Sequence, residues 1–382
     1  MIKLKVNKDR VGPILGRHPW VFSRALTLIP EGLKNGEPIR LVDPTGRFLA
    51  MGYFNSYSQM AVRVWGYDEN ETVDKSFFIK RIEQALSLRK KYLDQKKNNS
   101  YRIVNSENDF LPGLVIDKYH NYLSIQFHNS GIQRWQPEII SACEEILQPS
   151  GMVIRLADKK SITSGVVPDL VEIKENGFKF LVDMTAGQKT GFFLDQRDKR
   201  LALQKYVQGQ NVLNCFSYTG GFSVYALAAG AKKVVNVDTS EAALEIAKKN
   251  IELNGLNIKK CEFICQDVKK YLTADLKNKF SVIILDPPAF IKDRHRIKEG
   301  LIGYKKINEA AMRVLPPDGI LVSCSCSQHL NLRDFRFAIS EAASHAGKSV
   351  QILETYLHGI DHPEVISFLE GEYLKCFYLL VK

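Results

Sequence analysis

Several things are missing from this chain, and each absence narrows what it can be. No run of 18 apolar residues occurs, so no helix is expected to span a membrane. The opening Met-Ile-Lys-Leu-Lys lacks the apolar stretch of a signal peptide. Cysteine is sparse and unpatterned: the seven residues form no Cys-x-x-Cys pair, and Cys261 and Cys265 have no His or Cys nearby. That argues against disulfides and a zinc site and for a reducing, cytoplasmic setting. No internal repeat or low-complexity tract is visible. Glycine is scarce at the one turn where a dinucleotide would need it. Gly220-Gly221 stands in place of Gly-x-Gly-x-x-Gly, so a nicotinamide dehydrogenase is a remote reading.

What is present suggests two or three domains in 382 residues. The net charge is +11, and residues 1–100 hold 18 Lys/Arg against 10 Asp/Glu, which places +8 of it there. A basic flank of this kind suits a polyanion such as RNA. Residues 1–70 read as a small β-barrel: Pro38 to Val42, Phe48 to Tyr53 and Met60 to Trp65 are short strands separated by turn chemistry such as Asp43-Pro44-Thr45-Gly46. Within it, Trp20 and Phe22 read as core aromatics, while Arg17 and His18 are candidates to face RNA.

Residues 71–183 read as a connecting helix, Lys75 to Leu93, followed by a small α+β domain without chemistry of its own. It contains a hairpin around His120-Asn121, a helix from Pro137 to Leu147, a strand from Met152 to Leu156 and a second hairpin turning at Glu175-Asn176-Gly177. From residue 184 to 382, strand and helix alternate. That pattern predicts an α/β, doubly wound, Rossmann-like sheet, with Tyr373 to Val381 as a late antiparallel strand at its edge.

The stretch from Val212 to Phe222 is a buried strand that delivers a glycine turn to a helix N-terminus, a seat for a nucleotide-like cofactor. Three acidic strand ends follow. Asp238, 18 residues after Gly220, is placed to accept from ribose hydroxyls, and Asp267 is placed for an adenine edge. Each could instead cap the helix after it, but three in succession favour a ligand. S-adenosylmethionine, a nucleoside without phosphate, needs less exposed backbone than a dinucleotide and fits this turn.

The third acidic end is Asp286-Pro287-Pro288-Ala289-Phe290. Proline stops the strand, so Asp286 projects at the sheet edge, where it can bond a nucleobase while Phe290 stacks on it. The fifth strand ends Ser323-Cys324-Ser325-Cys326-Ser327. Methylating an exocyclic amine needs no thiol. Carbon 5 of a pyrimidine does, because thiolate addition at carbon 6 is what makes carbon 5 nucleophilic. Cys324 and Cys326 would share a strand face, and Cys326, nearer the carboxyl edge, is the candidate nucleophile. Lys292 to Lys298, with Lys292, Arg294, Arg296 and Lys298, suits phosphate contacts. Two other readings stand beside this one: a base-amino methyltransferase on the same scaffold, and a non-catalytic RNA-binding assembly protein.

Together these motifs resemble the bacterial 23S rRNA cytosine-C5 methyltransferases of the RlmI type, over essentially the whole chain. Arg17-His18-Pro19-Trp20-Val21-Phe22 and Gly46-x-Phe48-Leu49-Ala50-x-Gly52 are similar to that family's N-terminal PUA domain, an RNA-binding barrel. Gly187-Gln188-Lys189-Thr190-Gly191-Phe192-Phe193-Leu194-Asp195-Gln196-Arg197 resembles its entry to the catalytic domain, beside the methionine end of the cofactor. Leu213 to Phe222, Val237 to Ser240, Asp286-Pro287-Pro288-x-Phe290, Ser325-Cys326-Ser327 and Asp361-His362-Pro363 also match. The resemblance implies S-adenosylmethionine as cofactor, held by Gln196, Phe216, Ser217, Tyr218, Thr219, Gly220, Asp238, Thr239, Asp267, Val268, Asp286 and Pro287. It implies 23S ribosomal RNA as substrate, contacted by Phe290, Lys292, Arg294, Arg17 and His18. Cys326 maps to the family's nucleophile, although the repeated triplet Ser323-Cys324-Ser325 departs from its pattern. Pro288 stands where many other RNA cytosine-C5 methyltransferases carry a second cysteine, so the proton-removing base is not a thiol, and Asp286 is its nearest candidate. No metal is expected, and a homodimer is one assembly considered.

Overall fold

The computed structural model describes residues 1–382 except Tyr57, Gln188, Lys189 and Ala274. Gln188 and Lys189 of the Gly187 to Arg197 stretch therefore lie outside the described residues. The chain divides into two compact units. One comprises Met1–Ile173, Val182–Leu194 and Ile360–Gly371, the other Lys174–Leu181, Asp195–Gly359 and Glu372–Lys382. No described helix is long and apolar enough to cross a membrane.

The first unit holds two five-stranded sheets. The first sheet runs, from edge to edge, Ile2–Lys5, Pro38–Val42, Phe48–Phe54, Val62–Gly66 and Trp20–Val21. Its inward residues, among them Ile39, Leu41, Ala50, Val62 and Val64, close a small core. Phe22 is not part of it. Val21 faces the core at 2% exposure, while Phe22, just past the two-residue strand and leading into the turn Ser23–Ala25, is 44% exposed. Trp20 is half-buried and covered by Phe368 at 4.7 Å between ring centroids.

The second sheet has the order Ser161–Gly165, Gly151–Arg155, Tyr122–Phe127, Leu114–Tyr119, Ser100–Asn105. Helices Lys75–Tyr92 and Gln136–Leu147 pack on it. Asp74 starts the first helix by accepting from the Phe77 amide at 3.0 Å. Its Phe78, Ile82 and Leu86 share one core with Ile103, Ile116 and Ile125 of the sheet, and also with Met51, Tyr53 and Trp65 of the first sheet.

Buried ion pairs knit this unit. Arg89 is bidentate to Asp109 at 2.6 and 2.7 Å and also reaches the Asp361 carbonyl at 2.9 Å. The Asp361 carboxylate accepts from the Arg102 amide at 3.0 Å, and Asn105 holds the Pro363 carbonyl at 3.1 Å. The Asp361-His362-Pro363 motif thus anchors the Ile360–Gly371 segment. Glu107, which is buried, pairs with Arg63 and accepts from the Trp20 indole at 2.8 Å. Burial alone would raise its pKa, but the Arg63 charge and the Ser106 and Trp20 hydrogen bonds more than reverse this and hold it below the ordinary 4.5. A depressed carboxyl contributes stability above the unfolded pKa and loses it as pH falls through the folded value. Glu107→Gln is therefore expected to flatten the acid limb of the stability profile below about pH 4.5, as read by urea midpoints across pH.

The second unit is built on seven strands: β1 (Asn211–Cys215), β2 (Lys233–Asp238), β3 (Cys261–Cys265), β4 (Val282–Leu285), β5 (Gly319–Ser325), β6 (Val350–Tyr356) and β7 (Lys375–Val381). Their order is β3-β2-β1-β4-β5-β7-β6, with β1 to β5 paired in parallel. β7 is antiparallel, as expected, but it is not at the edge: it lies between β5 and β6. Its sequence Lys-Cys-Phe-Tyr-Leu-Leu-Val is buried on both faces, whereas β6 is largely exposed and forms the border. On one face Leu213, Val235, Ile283 and Leu321 pack against Tyr304, Phe335 and Ala338 of the helices Ile297–Val314 and Leu332–Ala346. The parallel strands bring their carboxyl ends, and the residues just past them, to one edge.

Candidate active site at the carboxyl edge of the second sheet

Past β1 the backbone alternates into the left-handed region at Phe216 (φ 57°), Tyr218 (φ 45°) and Gly220 (φ 74°). The alternation folds the turn back on the sheet edge: the Ser217 amide donates to the Val237 carbonyl at 3.1 Å and the Gly220 amide to the Ser217 carbonyl at 2.9 Å. Gly220 is required twice, by its φ and by space, because a Cβ there would sit 2.9 Å from the Ala247 Cβ. Gly220→Val is expected to cost about 2 kcal/mol or more in stability. It should also weaken S-adenosylmethionine binding, as measured by calorimetry. Ser217 and Thr219 are buried, and among the described residues the Ser217 hydroxyl has no hydrogen-bond partner.

Asp238 ends β2 and ties this turn down. One carboxylate oxygen accepts from the Tyr218 amide at 2.8 Å and the other from the Ser240 amide at 2.9 Å. Thr239 beside it is exposed. Asp267, after β3, is exposed and caps the short helix Val268–Tyr271 by accepting from the Lys270 amide at 3.0 Å; Val268 itself is buried. Asp286, just past β4, is half-buried and accepts from the Gln196 side-chain amide at 2.9 Å. The other end of that amide, the Gln196 Oε1, is buried and has no hydrogen-bond partner among the described residues.

β5 ends at Ser325, so Cys326 lies one residue beyond the strand instead of on a face shared with Cys324. The two thiols have different surroundings. Cys324 is 1% exposed and directly opposite Cys376 of β7. The Cys376 thiol facing it, together with burial, pushes its pKa well above the ordinary range. Cys326 is half-buried, with Sγ 3.7 Å from the carbonyl oxygen of Pro287. The serines on either side fix it. Ser325 Oγ donates to the Tyr304 hydroxyl at 2.8 Å, which lies 2.9 Å from Ser327 Oγ, and the Ile291 amide donates to that same oxygen at 3.2 Å. Burial raises the Tyr304 pKa, so its hydroxyl stays protonated in this network.

Phe290 is half-buried against Tyr304, with ring centroids 4.7 Å apart, and the Lys269 ammonium lies 5.4 Å from its ring. Lys292 and Arg294 are exposed on the segment that follows. Arg17 and His18 belong to the first unit. Arg17 is exposed with its guanidinium 3.9 Å over the Tyr67 ring, whereas His18 packs beside Trp20 and Phe368 with Nε2 3.4 Å from Glu370.

The sequence reading missed a support of the site. Lys375 of β7 is fully buried and donates to the carbonyl of Ser327 at 3.2 Å and of Glu372 at 3.0 Å, holding the chain next to Cys326. Its signal was a lysine opening an otherwise apolar strand. Asp195, beside Gln196, is buried and accepts from the Tyr373 hydroxyl at 2.6 Å.

A family model for S-adenosylmethionine-dependent methyltransferases matches residues 156–368, and a PUA-like domain model matches residues 4–66. The chain is 41% identical over 389 residues to ribosomal RNA large subunit methyltransferase I of Citrobacter koseri, covering 98% of each. It is 40% identical over 388 residues to the enzyme of the same name from Klebsiella pneumoniae, covering 98% of this chain and 97% of that one. Among solved structures, SMU.776 complexed with SAH superposes over 100% of both chains with a TM-score of 0.89 at 24% identity, which shows the shared fold. A tRNA m1G37 methyltransferase from M. jannaschii covers 71% of this chain at a TM-score of 0.54 and 22% identity. Sheet order, the turn after β1 and full-length similarity agree: the chain belongs to the ribosomal RNA large subunit methyltransferase I family, enzymes that depend on S-adenosylmethionine.

Proposed function

We propose that this protein methylates carbon 5 of a cytosine in 23S ribosomal RNA, with Cys326 as the nucleophile. One observation carries the reading. Of the two cysteines near the end of β5, Cys324 is sealed against Cys376, while Cys326 stands half-exposed at the edge between Pro287 and the serines that hold it. A base-amino methyltransferase has no use for a thiol fixed in that place.

The residues at this edge fit the cofactor. Among the described residues the buried Ser217 Oγ and Gln196 Oε1 have no hydrogen-bond partner, and Asp238 ties down the left-handed turn beside them. Gln196, Phe216 to Gly220, Asp238, Thr239, Asp267, Val268, Asp286 and Pro287 would hold it. When bound, it would supply an electrophilic methyl group from its sulfonium, whose sulfur–methyl bond breaks to leave a neutral thioether. The chain's own residues do the rest. The Cys326 thiol loses its proton and the thiolate adds to carbon 6 of the cytosine, moving the carbon 5–carbon 6 electron pair onto carbon 5, which takes the methyl group. A base then removes the proton from carbon 5, the double bond re-forms and the sulfur leaves as thiolate. Asp286, oriented by Gln196, is our candidate for that base. Phe290 and the basic segment Lys292 to Lys298 would hold the base and its phosphates, with Arg17 of the PUA-like domain a further RNA contact.

Mapping of 5-methylcytosine in 23S rRNA from cells lacking this protein is expected to show one site lost and regained on complementation. An unchanged map would sink the assignment.

A further inference from the structure

The basic residues of the helix Lys75–Tyr92 fall into two sets. Near its start they are neutralised: Lys75 pairs with Glu145 at 2.7 Å, and Lys80 and Arg81 reach Glu71 at 3.1 and 2.8 Å. Beyond the buried Arg89 this stops. Lys90, Lys91, Lys96 and Lys97 are exposed, Lys118 is half-buried on the strand Leu114–Tyr119, and among the described residues these five make no ion pair. Glu83 and Glu145 line a groove with Lys90, and two further nearby acids are engaged elsewhere. Asp94 accepts from the Lys96 and Lys97 backbone amides, and Asp117 is bidentate to Arg102.

The helix end and the strand that carries Lys118 meet through one neighbour. Arg89 clamps the helix end to the Arg102 carbonyl at 3.0 Å, on the strand whose Tyr101 is the register partner of Lys118. Burial, with the like charge of Lys90, holds the Lys118 ammonium below its ordinary pKa. Tyr92 stands among the lysines 57% exposed, with the Lys91 ammonium 5.0 Å from its ring. The helix dipole accounts for cations in the last turn, Lys90 and Lys91, but fades within that turn and leaves Lys96 and Lys97 unexplained, while the Lys118 ammonium lies 5.7 Å from the Tyr101 ring. Some other surface lysines sit beside acids, as in Lys233–Glu262 and Lys248–Glu245. Like charges gathered without counterions carry a repulsion that a polyanion would relieve, and an exposed ring among them is a platform for an unpaired base.

We propose that this patch binds the phosphate backbone of RNA outside the nucleotide that is modified, with Tyr92 stacking on a base. The proposal rests on RNA being the substrate, and it gives the α+β region a role of its own.

The test uses the full chain and a 23S rRNA transcript, with binding measured from about 50 to 200 mM salt. The triple variant Lys90→Gln/Lys97→Gln/Lys118→Gln should lower the slope of log affinity against log salt by about 2–3 and weaken binding about 100-fold near 0.1 M salt. S-adenosylmethionine affinity and melting temperature should stay as in the wild type, and Lys75→Gln should leave the slope unchanged. An unaltered slope in the triple variant overturns the proposal. So does a loss confined to assembled ribosomal particles, which would point to a protein partner. Should the wild type bind with a lysine-dependent slope yet methylate another atom, the patch stands and the carbon-5 reading falls.

Discussion

Cys326→Ala is expected to remove methyl transfer to RNA by a factor on the order of 10⁴ or more while leaving S-adenosylmethionine affinity nearly unchanged. The size follows from the chemistry. Carbon 5 of cytosine has no usable lone pair until sulfur adds to carbon 6, so losing the thiol removes the reaction path itself. Cys326→Ser should fare little better, because an alkoxide is hardly populated near neutral pH. Cys324→Ala should keep most of the activity, since that thiol is buried against Cys376 and high in pKa. RNA carrying 5-fluorocytidine should become cross-linked to wild-type protein and not to Cys326→Ala: fluorine in place of the carbon-5 hydrogen blocks the proton loss that releases the sulfur. Full activity in Cys326→Ala, measured with radiolabelled cofactor, would end the carbon-methylation mechanism and favour an amino group as the target.

The second large effect concerns stability. Arg89→Met should destabilise the first unit by about 3–5 kcal/mol, because it leaves the Asp109 carboxylate buried without its cation. The Asp361, Arg102 and Ala85 carbonyls also lose a donor. Urea unfolding followed by tryptophan fluorescence reads this directly, since Trp20, Trp65 and Trp135 all lie in that unit. The double variant Arg89→Met/Asp109→Leu should recover part of the loss, as both charges then leave the interior together. A single variant as stable as the wild type would mean that the pair contributes nothing net.

Much of this fold was legible because local signals and burial agree. The strands 211–215, 233–238 and 319–325 coincide with apolar runs, and Asn176-Gly177 turns its hairpin with both residues at positive φ, 50° and 87°. The helix Leu332–Ala346 was passed over although its cap at Asn331, its Phe335-Ala338-Ile339-Ala342-Ala343 spacing and its closing Gly347 are all local signals. The exposed strand Ser161–Gly165 carried no such signal, because a short polar edge strand has no apolar alternation to read. The place of β7 was hidden for a different reason. Strand order is a long-range property, and only the density of apolar residues on both its faces hinted at an interior position. At the site, the acidic strand ends and Cys326 were readable from the chain. Gln196 was readable only through the motif that holds it, whereas Lys375 and Tyr304 act through partners far away in sequence, and no local pattern announces them.

Because β7 slots between β5 and β6, synthesis imposes a schedule on this protein. Until residues 375–381 have emerged from the ribosome, the strand leading to Cys326 has one flank bare and the Ser327 carbonyl has no ammonium to hold it. A chain interrupted upstream of that point would fail to make even a feeble version of the enzyme, and its naked strand would invite clumping or proteases. The ability to modify RNA therefore arrives late and all at once.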